Sequence, residues 1–194
     1  MMTVTKLPKD MVLKFKFSGN YIHYLWNDEF GNYCKYMGAK RDLDPVNPFV
    51  HVEVVPSTSD PTLVHLRCSY NNKFNELISS SVSWLSATTN SPNEDRTKKT
   101  FTLFKPIFPA SQPHTVGFLH MQTNHQVRTF FNKDYGDSIN MVCAKSNDNG
   151  MQLFEFPVWV QYEDVIKLKD REIKTKDEEI KAMDGEIKAK DEEI

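Results

Sequence analysis

Between residues 10 and 160 the apolar positions fall in short runs separated by polar ones, and the runs recur as a ladder. Val12-Leu13-Lys14-Phe15-Lys16-Phe17 leads into Gly19-Asn20-Tyr21-Ile22-His23-Tyr24-Leu25. Leu63-Val64-His65-Leu66-Arg67-Cys68 leads into Asn71-Asn72-Lys73-Phe74, and Val116-Gly117-Phe118-Leu119-His120-Met121 leads into a polar turn at Thr123-Asn124. Each unit closes on a second apolar run, Phe49 to Val55, Phe101 to Phe108 and Leu153 to Val160. Both ladders step by roughly fifty residues, the spacing of one supersecondary unit copied in space.

The runs are rich in Val, Ile, Phe and Tyr, which suits the half-buried surface of a pleated strand. Between them lie clusters that stop a strand: Asn27-Asp28-Glu29, Asp44-Pro45-Val46-Asn47-Pro48, Pro56 to Pro61, Thr89 to Asp95, and Asn147-Asp148-Asn149-Gly150. Proline cannot donate to a ladder, and Asx residues favour turns. The pattern predicts an all-β body of about four strands per unit, roughly twelve in all, which is the strand count of a β-trefoil. A seven-stranded sandwich is the alternative, and it leaves the triplication unexplained.

At Gln161 the periodicity changes from that of strands to that of a helix. Ile166, Ile173, Ile180, Ile187 and Ile194 recur every seven residues, within a repeated Lys-x-Lys-Asp-Glu-Glu-Ile block that runs to the last residue. Asp170 with Lys174, Asp177 with Lys181 and Asp184 with Lys188 place an acid four residues before a base, the favourable orientation on a helix surface. The expected organisation is a β domain over residues 1–162 followed by a charged helix over 163–194. With Ile at a, the d positions read Lys169, Lys176, Met183 and Lys190; with Ile at d, the a positions read Asp170, Asp177, Asp184 and Asp191. A coiled coil needs apolar residues at both. Two readings stay open for the helix, an oligomerisation stalk that makes a homo-oligomer and a solvated spacer.

Composition narrows the function. Lysine and arginine number 24 against 26 acidic residues, a formal net charge of −2, so no basic footprint of the kind that holds a phosphate backbone exists and nucleic acid is not an expected partner. The first ten residues contain no apolar stretch of signal-peptide type, and no run is long enough to span a bilayer. The expected location is therefore cytoplasmic, with access to the nucleus, and without a membrane partner. Cys34, Cys68 and Cys143 are widely spaced and form no CxxC pair, which predicts buried small hydrophobes.

Catalytic patterns are missing. The six histidines are scattered over several units, and none forms the i, i+4 pair with an acidic neighbour that holds a catalytic zinc. There is no phosphate loop and no nucleophile elbow, so the chain reads as a non-enzyme that needs neither metal nor cofactor. What remains is an aromatic-rich β domain with polar loops. Such surfaces read sugars by stacking a ring against C–H groups and donating hydrogen bonds from amides and hydroxyls. Trp26, Tyr33, Tyr36, Trp84 and Trp159 are the aromatic candidates.

The stretch Leu63 to Phe74, then Trp84, then Thr102-Leu103-Phe104-Lys105-Pro106 and Leu119-His120-Met121-Gln122, resembles the agglutinin domain of amaranthin-type plant lectins. Leu43-Asp44-Pro45 and Phe49 to Pro56 extend the likeness over most of residues 10–160. The resemblance implies a β-trefoil and a carbohydrate-binding ancestry directed at galactose and N-acetylgalactosamine glycans. It implies a binding loop carrying Ser79, Ser81, Ser83 and Trp84, with Asn71 and Asn72 offering amide hydrogen bonds. The chain departs from the family pattern here: only Trp84 is kept, Ser81 stands where the family has an asparagine, Ser83 where it has an aromatic and Lys99 where it often has a tryptophan. The best-known members also carry two agglutinin domains in tandem and form sugar sites between subunits, whereas this chain has one such domain and a helical tail. The expected function is thus a lectin of weakened or altered specificity, with glycans or glycoproteins as partners. The alternative is a degenerate lectin domain serving as an interaction or stress-related scaffold.

Overall fold

The computed structural model describes residues 6–25, 35–79, 83–131, 140–145, 151–159 and 162–191. Among them are thirteen strands: β1 (Asp10–Val12), β2 (Lys14–Phe15), β3 (Tyr21–Tyr24), β4 (Met37–Lys40), β5 (His51–Pro56), β6 (Val64–Cys68), β7 (Lys73–Ser79), β8 (Ser83–Thr89), β9 (Leu103–Ile107), β10 (Thr115–His120), β11 (His125–Phe131), β12 (Asn140–Lys145) and β13 (Phe154–Glu155). A single helix, α1 (Tyr162–Asp191), follows. The protein is mostly β with one C-terminal helix.

The pairings close on themselves. β1 pairs with β5, β5 with β6, β6 with β9, β9 with β10, β10 with β13 and β13 with β2, which continues β1 after Leu13. This ring of short antiparallel strands is a barrel without a free edge. Three hairpins, β3–β4, β7–β8 and β11–β12, leave its far end and pair with one another, β12 with both β4 and β8, while Tyr36 bridges Ser86. Each of the three chain segments therefore gives two strands to the barrel and one hairpin to the cap.

The turn that starts each hairpin explains part of the sequence ladder. Gly19, Asn72 and Asn124 occupy equivalent turns and have φ of 71°, 58° and 57°, the left-handed region that only Gly and Asx enter at low cost. In the first and third units the turn closes with an amide bond back to the strand, Gly19 N–H to Phe15 O and Asn124 N–H to His120 O, each 2.9 Å.

Strand alternation fills the barrel. In β5, Val52 and Val54 point inward while Glu53 points out to meet Arg67 of β6. Phe15, Leu66, Phe104, Phe118 and Phe154 converge from the ring strands, with the Phe15 and Phe154 rings 4.3 Å apart. Full burial of such a side chain contributes roughly 1.5–3 kcal/mol, so this cluster dominates the stability of the body. Cys68 lies in this cluster and Cys143 is likewise buried, and burial raises the Cys68 thiol pKa against the weaker pull of the Asn71 and Tyr70 amides; Cys34 lies outside the described residues.

Two closing strands are shorter than the apolar runs predict. β5 starts at His51 because Pro48–Val50 form a 3-10 turn whose Phe49 amide donates to Asn47 Oδ1 at 2.9 Å. β13 ends at Glu155, ahead of Pro157, which has no N–H to donate to a ladder.

Gly117 of β10 leaves room for a neighbour: a Cβ there would run into the half-buried Met151 side chain, which would have to move. Gly117→Ala is expected to cost about 1 kcal/mol, the low end of overpacking because the methionine can shift, measured as a drop in the denaturant midpoint at constant m-value.

By internal packing the chain divides into Met1–Trp159 and Val160–Ile194. In the second unit α1 has 30 residues and so extends about 45 Å. Ile166, Ile173, Ile180 and Ile187 are between 43% and 58% exposed, a row of apolar side chains without a covering partner among the described residues. No helix of the described residues is long and apolar enough to cross a membrane.

Candidate functional site

The antiparallel register of β7 and β8 decides which of the expected binding residues meet. Ser79, the last residue of β7, pairs with Ser83, and Trp84 pairs with Ile78 across the hairpin and with Cys143 of β12. Trp84 is half-buried and stands edge-on to Phe130 of β11, with centroids 5.8 Å apart and planes at 69°. The second and third hairpins thus meet at an aromatic pair with Ser83 beside it. Ser81 lies outside the described residues, as do Trp26 and Tyr33.

Asn71 and Asn72 sit at the other end of the same hairpin. β7 is seven residues long, which separates the two ends by roughly 20 Å. The Asn71 side chain is engaged there: its Nδ2 donates to Ala87 O at 2.9 Å and its Oδ1 accepts from the Lys73 amide at 3.0 Å. Asn72 is the left-handed residue of the turn. Beside them is an aromatic shelf that the sequence does not announce, because Tyr24, Phe49 and Tyr70 come from three separate segments. The Phe49 and Tyr70 centroids are 4.3 Å apart, those of Tyr24 and Tyr70 5.9 Å, and Tyr70 is 45% exposed.

The remaining aromatic candidates take backbone or packing positions. Tyr36 makes the bridge to Ser86. Trp159 lies flat on His51, centroids 3.9 Å apart and planes at 2°, and His51 Nε2 bonds Asp10 Oδ1 at 2.8 Å. That stack ties the end of the body to β1 and β5.

A carboxylate missed in the sequence organises the second of the three barrel segments. Glu94 Oε1 accepts from the Ser57 hydroxyl at 2.9 Å, the Thr58 amide at 2.9 Å, the Thr58 hydroxyl at 3.2 Å and His65 Nε2 at 3.2 Å. His65 is buried, and its Nδ1 lies 2.8 Å from the Thr102 hydroxyl. Hydrogen bonds from Ser59, the Thr58 amide, Ser57 and His65, led by the Ser59 hydroxyl, outweigh desolvation and hold the Glu94 carboxyl down at about 2. Nothing in Pro92-Asn93-Glu94-Asp95 distinguishes this residue from an ordinary turn acid, since its partners lie far back in the chain. Its oxygen is saturated by protein donors, which marks a structural tie. Among the described residues no three His, Cys, Asp or Glu side chains gather as a metal site.

Residues 5–155 match the family profile of the Agglutinin domain. The chain belongs to the agglutinin-domain family. The agglutinin domain is also similar in fold to solved structures of low sequence identity. The SDF2-like protein from Arabidopsis thaliana has 13% identity and a TM-score of 0.56 over 78% of this chain and 94% of that one. The BEL beta-trefoil, in an apo crystal form, has 11% identity and a TM-score of 0.57 over 81% and 99%. The ricin B-like lectin of Macrolepiota procera, solved with lactose, has 11% identity and a TM-score of 0.56 over 79% and 97%. Comparison with curated protein sequences gives no match. At these identities the similarity is one of fold, and the agglutinin profile is what identifies the chain.

Proposed function

We propose that this protein is a single β-trefoil lectin that binds glycans without transforming them, with galactose or N-acetylgalactosamine structures as ligands and a specificity altered by its loop. The agglutinin profile over residues 5–155 carries this reading. The barrel ring and its three paired hairpins support the trefoil assignment, and the lactose complex of the ricin B-like lectin supports the ligand class. The platform is the tip of the β7–β8 hairpin: Trp84 supplies the stacking ring, and Ser79, Ser81 and Ser83 supply short hydroxyls able to donate to and accept from a sugar. Asn71 and Asn72 serve the far end of the hairpin, where Asn72 and the Tyr24, Phe49 and Tyr70 shelf offer a second surface. The charged helix acts as the element that gathers copies, through its row of isoleucines, so that weak single sites act together.

A glycan array tests this with the intact chain, Trp84→Ala, Tyr70→Ala and a chain ending at Tyr162. Loss of a ring contact worth about 0.5–1.5 kcal/mol plus its buried area lowers binding by Trp84→Ala about tenfold. The chain ending at Tyr162 loses roughly a hundredfold or more of surface avidity while its monovalent affinity is unchanged. Loss with Tyr70→Ala alone would move the site to the other end of the hairpin. Silence from the intact chain at high concentration would refute the lectin reading and leave an interaction scaffold.

A further inference from the structure

Opposite the hairpin cap, β1 and β6 begin and β5 and β9 end, and at this end of the barrel lies a cavity of about 710 Å³. Its wall is apolar: Leu7, Val54, Pro56, Val64, Pro106 and Phe108 face it. Leu7 is part of the core cluster, and the Val54 amide donates to Lys9 O at 2.7 Å. The segment ahead of β1 is thereby held as a fixed side of the mouth. Pro56 and Pro106 bring no N–H to it, so hydrogen-bond donors are scarce, which disfavours a sugar.

The rim carries a definite sign. Lys6 and Lys9 stand on it, both exposed, with Glu53 as the one acid. Glu53 is already matched: Arg67 holds its Oε2 through both Nε, at 2.7 Å, and Nη2. Lys9 Nζ is 3.9 Å from Glu53 Oε1 with its side chain 76% exposed, so it is free to turn toward another anion. Among the described residues Lys6 has no ion-pair partner. The mouth therefore presents an apolar floor and two cations whose charge is not cancelled locally.

We infer that the open mouth of the barrel is a binding site for a small amphipathic carboxylate, its hydrocarbon part against Leu7, Val54, Val64 and Phe108 and its head on Lys6 and Lys9. The cavity volume lies within the range of small-molecule sites and accommodates a chain of roughly eight to twelve carbons. This site is separate from the hairpin tip and does not depend on the glycan reading.

Calorimetric titration of the intact chain with decanoate and with 1-decanol, both below their aggregation limits, tests it. The expected result is one decanoate per chain, bound about tenfold more tightly than decanol, with the preference shrinking in high salt because the head contacts are exposed. Lys6→Glu combined with Lys9→Glu removes the preference and leaves decanol binding as it was. Thr62→Trp, an exposed rim position whose hydroxyl bonds Asp60 Oδ1 at 2.7 Å, fills the entrance and removes both ligands while a cooperative melting transition is kept. No binding of decanoate, equal binding of the two ligands, or full binding to Thr62→Trp overturns the proposal. A chain starting at Lys6 should bind as the intact one does; markedly tighter binding would make residues 1–5 the natural occupant and would equally overturn it.

Discussion

Glu94→Ala is expected to destabilise the body by about 2–4 kcal/mol, a large part of a total that in single domains is about 5–15 kcal/mol. The physical reason is the number of donors aimed at one oxygen. Ser57, the Thr58 amide and the Thr58 hydroxyl come from the β5–β6 turn, and His65 comes from β6. The turn donors can turn to water after the substitution, but His65 is 1% exposed, and an unsatisfied buried donor costs about 1–3 kcal/mol by itself. Since a carboxylate only accepts, His65 Nε2 carries the proton, and the ring is oriented by Glu94 on one side and Thr102 on the other. Glu94→Gln keeps the shape and one acceptor oxygen but loses the charge, so it should cost about half as much. Equilibrium unfolding in denaturant measures both; a loss below about 0.5 kcal/mol for the alanine variant, the usual range for a surface change, would reduce the node to solvated surface contacts. The carboxyl is held below its ordinary value, so its contribution is complete above pH 4.5 and is lost as the pH falls toward 2. Glu94→Gln should flatten that part of the pH profile.

Acid should weaken the fold well before that window, through His23 and His120. Burial, above all, lowers both imidazoles from 6.5 to about 4; for His23 the Lys40 charge adds to it against the Tyr24 carbonyl, and for His120 nearby His125 adds to it against the Phe101 carbonyl. The neutral ring is the form that fits. His120 Nε2 donates to Phe101 O at 3.4 Å and Nδ1 faces the Thr123 hydroxyl at 3.2 Å, with the Phe101 and Phe104 rings about it. The unfolded chain takes up protons first, so stability is intact above pH 6.5, declines as the pH falls, and levels off near pH 4. Each histidine accounts for about 3 kcal/mol across that interval. Unfolding free energies measured from pH 7.5 to 4 should show the decline, and His120→Gln, which keeps a neutral donor and acceptor, should remove about half of it at some cost in baseline stability. A flat profile down to pH 5 would show that the two rings are protonated in the fold without penalty.

The threefold ladder was legible because every unit needs the same turn, and a left-handed turn residue narrows the choice to Gly19, Asn72 and Asn124. Strand character was legible for the same local reason, the inward and outward alternation visible in Val52, Glu53 and Val54. The candidate site was legible only in part. Ser83 and Trp84 follow the tip of a hairpin and stay close to Ser79, whereas Asn71 is carried the length of β7 and bonds Ala87 on the returning strand. The shelf of Tyr24, Phe49 and Tyr70 and the node around Glu94 join segments far apart in sequence, and residue type alone does not reveal such partners. The short β13 follows from Pro157, a breaker that the apolar run from Leu153 to Val160 conceals.

The seam of the barrel has a topological consequence. The Trp159 amide donates to Asp10 O at 3.1 Å and the Val12 amide to Pro157 O at 2.9 Å, so the two ends of the body are neighbours in space. Its three segments thus form a cycle in which no segment is geometrically first. Joining those ends with a short linker and opening the chain in the exposed turn between β9 and β10 would preserve all the ring pairings and the Glu94 node, and circularly permuted forms of this domain are open to both evolution and engineering.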